Sequence, residues 1–137
     1  MNDLFHGKPY EPKWANRFLV TLPECFDIPD WVVASITKPK LKKGKWKNIK
    51  ITFYDPIGPS TSQRLFHYVS GKGLTEKIDI PFDFQIESLD PIGVVIEKWT
   101  ITVKEIVLID FGDLRYDKDE LQKPKLVLKP ANCILNY

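Results

Sequence analysis

One stretch limits what this chain can fold into more than any other. It runs from Lys77 to Tyr116 and reads KIDIPFDFQIESLDPIGVVIEKWTITVKEIVLIDFGDLRY. Ile78, Ile80, Phe82, Phe84 and Ile86 alternate with Asp79, Asp83, Gln85 and Glu87. A period of two places successive side chains on opposite faces of a strand, so this run has one buried face and one wet face. Asp90-Pro91-Ile92-Gly93 then supplies a turn, with Pro91 fixing φ and Gly93 free to take φ > 0. Val94 to Val103 is β-branched and aromatic, and its alternation slips at Glu97-Lys98, the mark of a bulge or edge exit. Glu105 to Phe111 is a further apolar run that ends at Gly112-Asp113. The stretch therefore predicts an antiparallel meander and a mainly β protein.

Elsewhere the signals agree. Arg17–Leu22, Trp31–Thr37 and Asn48–Tyr54 read as strands, the last alternating Ile49, Ile51 and Phe53 against Asn48, Lys50 and Thr52. Lys125–Leu128 and Asn132–Leu135 read as a final strand interrupted at Pro130, which cannot donate to a ladder and belongs at an edge or bulge. Ser60 with Gln63 three residues on forms a capping box, and Leu65, Phe66 and Val69 make an apolar stripe, so one short helix is expected over Thr61–Ser70. The chain divides into an N-terminal arm, residues 1–16, and one domain, residues 17–137. The arm has no periodicity, and its Phe5, Tyr10 and Trp14 suit docking on this domain or a neighbour.

Composition excludes several function classes. Twenty basic and 18 acidic residues leave a net charge of +2, too small an excess for a generally basic nucleic-acid binder. No apolar stretch approaches the roughly 20 residues a membrane helix needs, and the N-terminus lacks the apolar core of a secretory signal. Cys25 and Cys133 have no metal or redox spacing and read as reduced thiols.

No catalytic constellation emerges. Asp110-Phe111-Gly112 spells a kinase metal motif without the glycine-rich or catalytic loops that give it meaning. Ser60 is explained as a cap, His67 lies on the short helix, and His6 has no sequence partner. The expectation is no enzyme, no cofactor and no metal. Three binding readings compete beside a structural one. Asp110, Asp113, Asp117, Asp119 and Glu120 could hold calcium or serve a hydrolase or carbohydrate-binding sandwich, although the order of a calcium loop is absent. Lys38–Lys47 holds six lysines in ten residues, and reads as a basic loop for phosphates or as a charged hairpin kept soluble by its lysines. Trp46, among those lysines, reads as an interface anchor. The wet strand faces suggest a sheet completed across subunits into a closed ring, which removes edges and lines an aqueous bore.

The order RFLVTLP, FDIPDWVVASITKPKL, W-x-N-I-x-I-T-F-Y-D-P-I-G, a short helix, LDPIGVVIEKWTIT and IDFGDLRYDKDEL resembles the tail tube proteins of contractile-tailed, T4-like bacteriophages. The resemblance runs from Arg17 to Tyr137 and is strongest over Leu89–Leu121. It implies a small antiparallel β-sandwich or barrel with one flanking helix, assembling into homo-hexameric rings whose inner wall is a β-barrel. Rings would stack into a hollow tube within the virion, assembled in the host cytoplasm, through which phage DNA passes without specific binding. Partners would be further copies of itself and sheath, baseplate and neck proteins, with no membrane. Under this resemblance Asn48, Lys50, Thr52, Asp79, Asp83, Gln85 and Glu87 are candidate lumen residues. Lys38, Lys40, Lys42, Lys43, Lys45, Trp46 and Lys47 are a candidate inter-ring loop. Asp79, Asp83 and Glu87 would repel DNA phosphates, and Lys50 would weaken that effect. The short length and Pro130 depart from the pattern, and suit the alternative of a baseplate or neck ring that initiates or terminates a tube.

Overall fold

Alternating apolar and polar residues dominate the folded chain as they do the sequence. The computed structural model describes residues 13–23, 26–58, 60–71, 82–117, 119 and 121–137. Its strands are β1 (Phe18–Thr21), β2 (Val33–Ile36), β3 (Leu41–Lys42), β4 (Lys45–Trp46), β5 (Ile49–Phe53), β6 (Phe82–Leu89), β7 (Val95–Asp110) and β8 (Lys125–Leu135). One helix, α1, spans Thr61–Gly71. Six strands form one antiparallel, barrel-like sheet in the order β1-β6-β7-β8-β5-β2, and β3 pairs with β4 as a separate hairpin. The fold class is therefore the expected one, mainly β with a single α-helix among the described residues.

The predicted apolar positions supply the core. Val20, Ile49, Ile51, Phe53, Phe84, Ile86, Ile101, Val103, Leu126 and Leu128 are buried on one face of the sheet. Phe26, Val32, Leu65 and Tyr68, from connecting segments and α1, complete it. Phe26 stacks on Tyr68 at 4.0 Å between centroids and meets Phe82 edge-on at 5.4 Å. Each such side chain contributes about 1.5–3 kcal/mol by leaving water. Cys133 is buried in this core, and burial pushes its thiol up to about 11, so it stays protonated. Cys25 lies outside the described residues.

Four expectations change. The two apolar runs Val94–Val103 and Glu105–Phe111 are one strand of 16 residues, β7. Its register with β8 slips between Thr102 and Val103, Val103 and Glu105, and Ile106 and Leu108, and such bulges let a strand continue through broken alternation. The bulge expected at Glu97-Lys98 falls at Ile96, because Ser88 faces Glu97 while Leu89 faces Val95. Glu97 keeps phase with Ile101 and Val103, so the polar break in the sequence is a carboxylate on the core face. Pro130 does not interrupt β8. It is buried opposite Val103, with Ala131 left over between the Val103–Pro130 and Thr102–Asn132 pairs, so the bulge absorbs its missing donor. Trp31 lies in a 3-10 turn, Asp30–Val32, and the strand begins only at Val33. The first part of the predicted strand Ile78–Glu87, through Pro81, lies outside the described residues, and β6 continues to Leu89.

Local chemistry sets the ends of elements. Gly93 takes φ 90° in the Asp90–Gly93 turn, where Asp90 Oδ1 accepts the N–H groups of Ile92 and Val94 at 3.0 and 2.8 Å. Ser60 Oγ accepts the Gln63 N–H at 3.3 Å, as the capping box requires. Asp55 adds a second layer, accepting from Ser60 Oγ (3.0 Å), Ser62 Oγ (2.6 Å) and Ser62 N–H (3.3 Å). Burial pushes the Asp55 carboxyl up, but these hydrogen bonds outweigh it and hold it below its ordinary value. Asp55→Ala strips three bonds from the start of α1, and denaturant melts should show a loss of about 1–2 kcal/mol.

Candidate functional site

Residues that share a sheet face do so through register, so the pairing places the predicted lumen residues. Asp83 stands opposite Thr102, Gln85 opposite Thr100, and Glu87 opposite Lys98. Thr102 and Thr100 in turn face Asn132 and Ile134 on β8. On β5, Lys50 faces Val127 and Thr52 faces Lys125. Directly opposed residues of antiparallel strands project to the same side. Asp83, Gln85, Glu87, Lys50 and Thr52 therefore all lie on the side of the sheet away from the core. Asn48 is exposed in the two-residue link before β5, and Asp79 lies outside the described residues.

The same register adds lysines that sequence reading did not put there. Lys98 lies opposite Glu87, Lys125 opposite Asp110, and Lys129 opposite Glu105. The face thus carries charges of both signs with threonines between them, and Leu108, Val127 and Ile134 as apolar members. The missed residues belong to β7 and β8, whose outward positions are hidden by the bulges. Cross-strand pairing of Glu87 with Lys98 was the signal available once β6 and β7 were read as a hairpin.

The basic segment forms a hairpin. Leu41 pairs with Trp46 and Lys42 with Lys45, and the Lys47 N–H donates to the Lys40 carbonyl at 2.8 Å. Lys43 and Gly44 make the two-residue turn with φ 52° and 75°, both positive as a primed turn requires. Lys38, Lys40, Lys42, Lys43, Lys45 and Lys47 are all exposed. Trp46 is not an exposed anchor. It is half-buried and meets Trp99 edge-on at 6.4 Å, so it fixes the hairpin to its own sheet.

At the hairpin's base sits Glu97, with its side chain 10% exposed. Its Oε1 accepts from Lys13 Nζ at 2.7 Å, and its Oε2 accepts from Lys38 Nζ and, at 3.1 Å, from Trp99 Nε1. Burial alone would raise this carboxyl. The two lysines and the indole N–H outweigh burial and hold it at about 2.

Beside Glu97 runs a groove of about 790 Å³ between β1 and β2, the two edges of the main sheet. Trp14, Phe18, Leu19, Trp31, Ile36 and Tyr54 are among the residues lining it. The acidic loop behaves differently. Asp110 Oδ1 accepts the Gly112 N–H at 2.9 Å, and Asp117 pairs with Arg115 at 3.2 Å. Arg115, Lys123 and Lys125 line the same hollow as Asp110 and Asp113. Among the described residues no three potential metal ligands come together. Ser60 and Ser62 both donate to Asp55, and His67 stands exposed on α1. No helix among the described residues is long and apolar enough to cross a membrane.

No protein-family model and no curated protein matches the sequence. Solved structures do. The sheath/tube terminator of an extracellular contractile injection system (PVC), in its extended state, superposes with a TM-score of 0.67 at 13% identity, over 95% of this chain and 100% of that one. The tube-terminating cap of the anti-feeding prophage gives 0.67 at 15% identity, over 91% of each chain. A chain of the PVC sheath-tube complex gives 0.66 at 13% identity, over 93% of each. At these identities the likeness establishes the fold: a small β-barrel shared with components of contractile injection machines.

Proposed function

We propose that this chain is a structural ring subunit of a contractile tail-like particle, placed at a tube end as a terminator or cap ring. The observation that carries this reading is end-to-end correspondence. The chain covers all of the PVC terminator chain and 91% of the prophage cap chain. The polar face of Lys50, Thr52, Asp83, Gln85 and Glu87 would then line the ring's bore, where a hydrated surface of mixed sign lets cargo slide without binding it. The lysine hairpin would stand toward the adjoining ring, with tube, sheath and baseplate components as partners. A second reading, a repeating subunit of the tube itself, draws on the similar fit to the PVC sheath-tube complex. The tail-tube resemblance of the sequence supports both. Neither calls for catalysis.

Negative-stain microscopy of the purified chain tests the proposal. A terminator should give closed rings that do not lengthen as concentration rises. Rods of stacked rings would favour the tube subunit instead. A species that stays monomeric at its highest soluble concentration overturns both.

A further inference from the structure

We infer that Glu97 is the latch of a seam in the barrel, holding together two edge strands that do not bond to each other. The sheet order leaves β1 and β2 as its edges, and both line the groove. Their hydrogen-bonding phase can be read from their ends. The Leu89 N–H donates to the Arg17 carbonyl at 2.9 Å, so antiparallel alternation directs Leu19 and Thr21 at β6 and turns the main-chain groups of Phe18 and Val20 toward the groove. The Thr37 N–H donates to the Lys50 carbonyl at 3.1 Å, so Ser35 bonds toward β5 and Ile36 turns toward the groove. Among the described residues no main-chain bond joins β1 to β2.

Glu97 supplies the missing link. Lys13 lies five residues ahead of β1 and Lys38 two residues beyond β2. Both ammonium groups meet on this one carboxylate of β7, which Trp99 also holds. The clasp therefore spans the seam from one edge to the other. An exposed ion pair by itself contributes little. A carboxylate this well buried is different, because losing its partners leaves an uncompensated charge, so the contacts form and break together.

The rest of the fold makes the opening local. β1 and β2 are four residues each and are paired on one side only. β7 and β8 are 16 and 11 residues and carry the centre of the sheet. Short one-sided strands open at lower free energy than central ones. Shut, the latch holds the two short edge strands in place and so limits their pairing with other chains, the hazard that free edges carry. The inference stands on the fold and does not depend on ring assembly.

Amide hydrogen exchange on the full chain tests it. Glu97→Gln keeps the shape and removes the charge. Exchange at Leu19, Thr21 and Ser35, whose main-chain groups bond into the sheet, should then accelerate about tenfold, while Ile101, Val103, Leu126 and Leu128 keep their protection. Lys38→Gln should accelerate the same two strands to a smaller degree, and it serves as the test if Glu97→Gln does not fold. Lys42→Gln removes a lysine from the same hairpin that does not touch Glu97, and should change nothing. Acceleration spread evenly over all strands, no acceleration in either Glu97→Gln or Lys38→Gln, or an equal effect of Lys42→Gln would each overturn the latch.

Discussion

Phe84→Asp leaves no folded protein, while Asp83→Ala, one residue away, changes stability by less than about 0.5 kcal/mol. The two sites differ only in the face of β6 they occupy. Phe84 is 1% exposed and paired with Ile101, itself fully buried. An aspartate there has no partner, and the several kcal/mol needed to bury it rival the whole stability of a domain this size. Asp83 is exposed on the polar face opposite Thr102, and its removal breaks no buried contact. Phe84→Ala gives the measurable version, because a truncated core phenylalanine costs about 3–5 kcal/mol and can leave a folded fraction to titrate. Denaturant melts followed by far-UV circular dichroism read all three. Similar losses in Phe84→Ala and Asp83→Ala would mean that the faces are assigned wrongly.

That contrast also marks where the sequence was legible. Period-two alternation encodes which way a side chain points, and it placed Ile49, Ile51, Phe53, Phe84 and Ile86 in the core before any coordinates. Turn and cap chemistry are equally local, so the Asp90–Gly93 turn and the Ser60 cap were readable from the letters. What alternation does not encode is the neighbour. β5 lies between β2, the strand that precedes it in the main sheet, and β8 near the other end of the chain, and nothing in NIKITFY announces the second. Bulges were expected near Glu97 and at Pro130, but the slips between Thr102 and Leu108 in β7 were misread as a break, because a slipped register and a strand end look alike in one dimension. The outward lysines of that ribbon were missed with them, and so was the mixed sign of the polar face. Glu97 shows the limit most clearly. A glutamate inside an apolar run reads as a fault in the pattern, and its partners lie 84 and 59 residues away in the chain. The tail-tube resemblance reached the right fold, and a terminator, a cap and a sheath-tube complex all supply chains that share it, so the strands alone do not distinguish among them.

Acid should weaken this protein through Glu97 in a defined window. The carboxyl sits at about 2 in the folded chain against an ordinary 4.5, so the folded state binds its proton less readily than the unfolded state does. A group depressed in this way contributes its full stabilisation above pH 4.5 and loses it progressively as pH falls toward about 2. The whole interval corresponds to about 3 kcal/mol as an upper bound. Lys13 and Lys38 are half exposed, so water screens part of the attraction and about 1–3 kcal/mol is the expected size. Glu97→Gln isolates it, because glutamine does not titrate and every other carboxyl, Asp55 included, titrates in both proteins. The stability difference between the native chain and Glu97→Gln should be largest near neutral pH and shrink steadily between pH 4.5 and about 2. Chemical denaturation of both proteins across that range measures it. If the two curves run parallel down to the lowest pH, the lysine contacts do not stabilise the folded state, and the carboxylate is held by the surrounding packing instead.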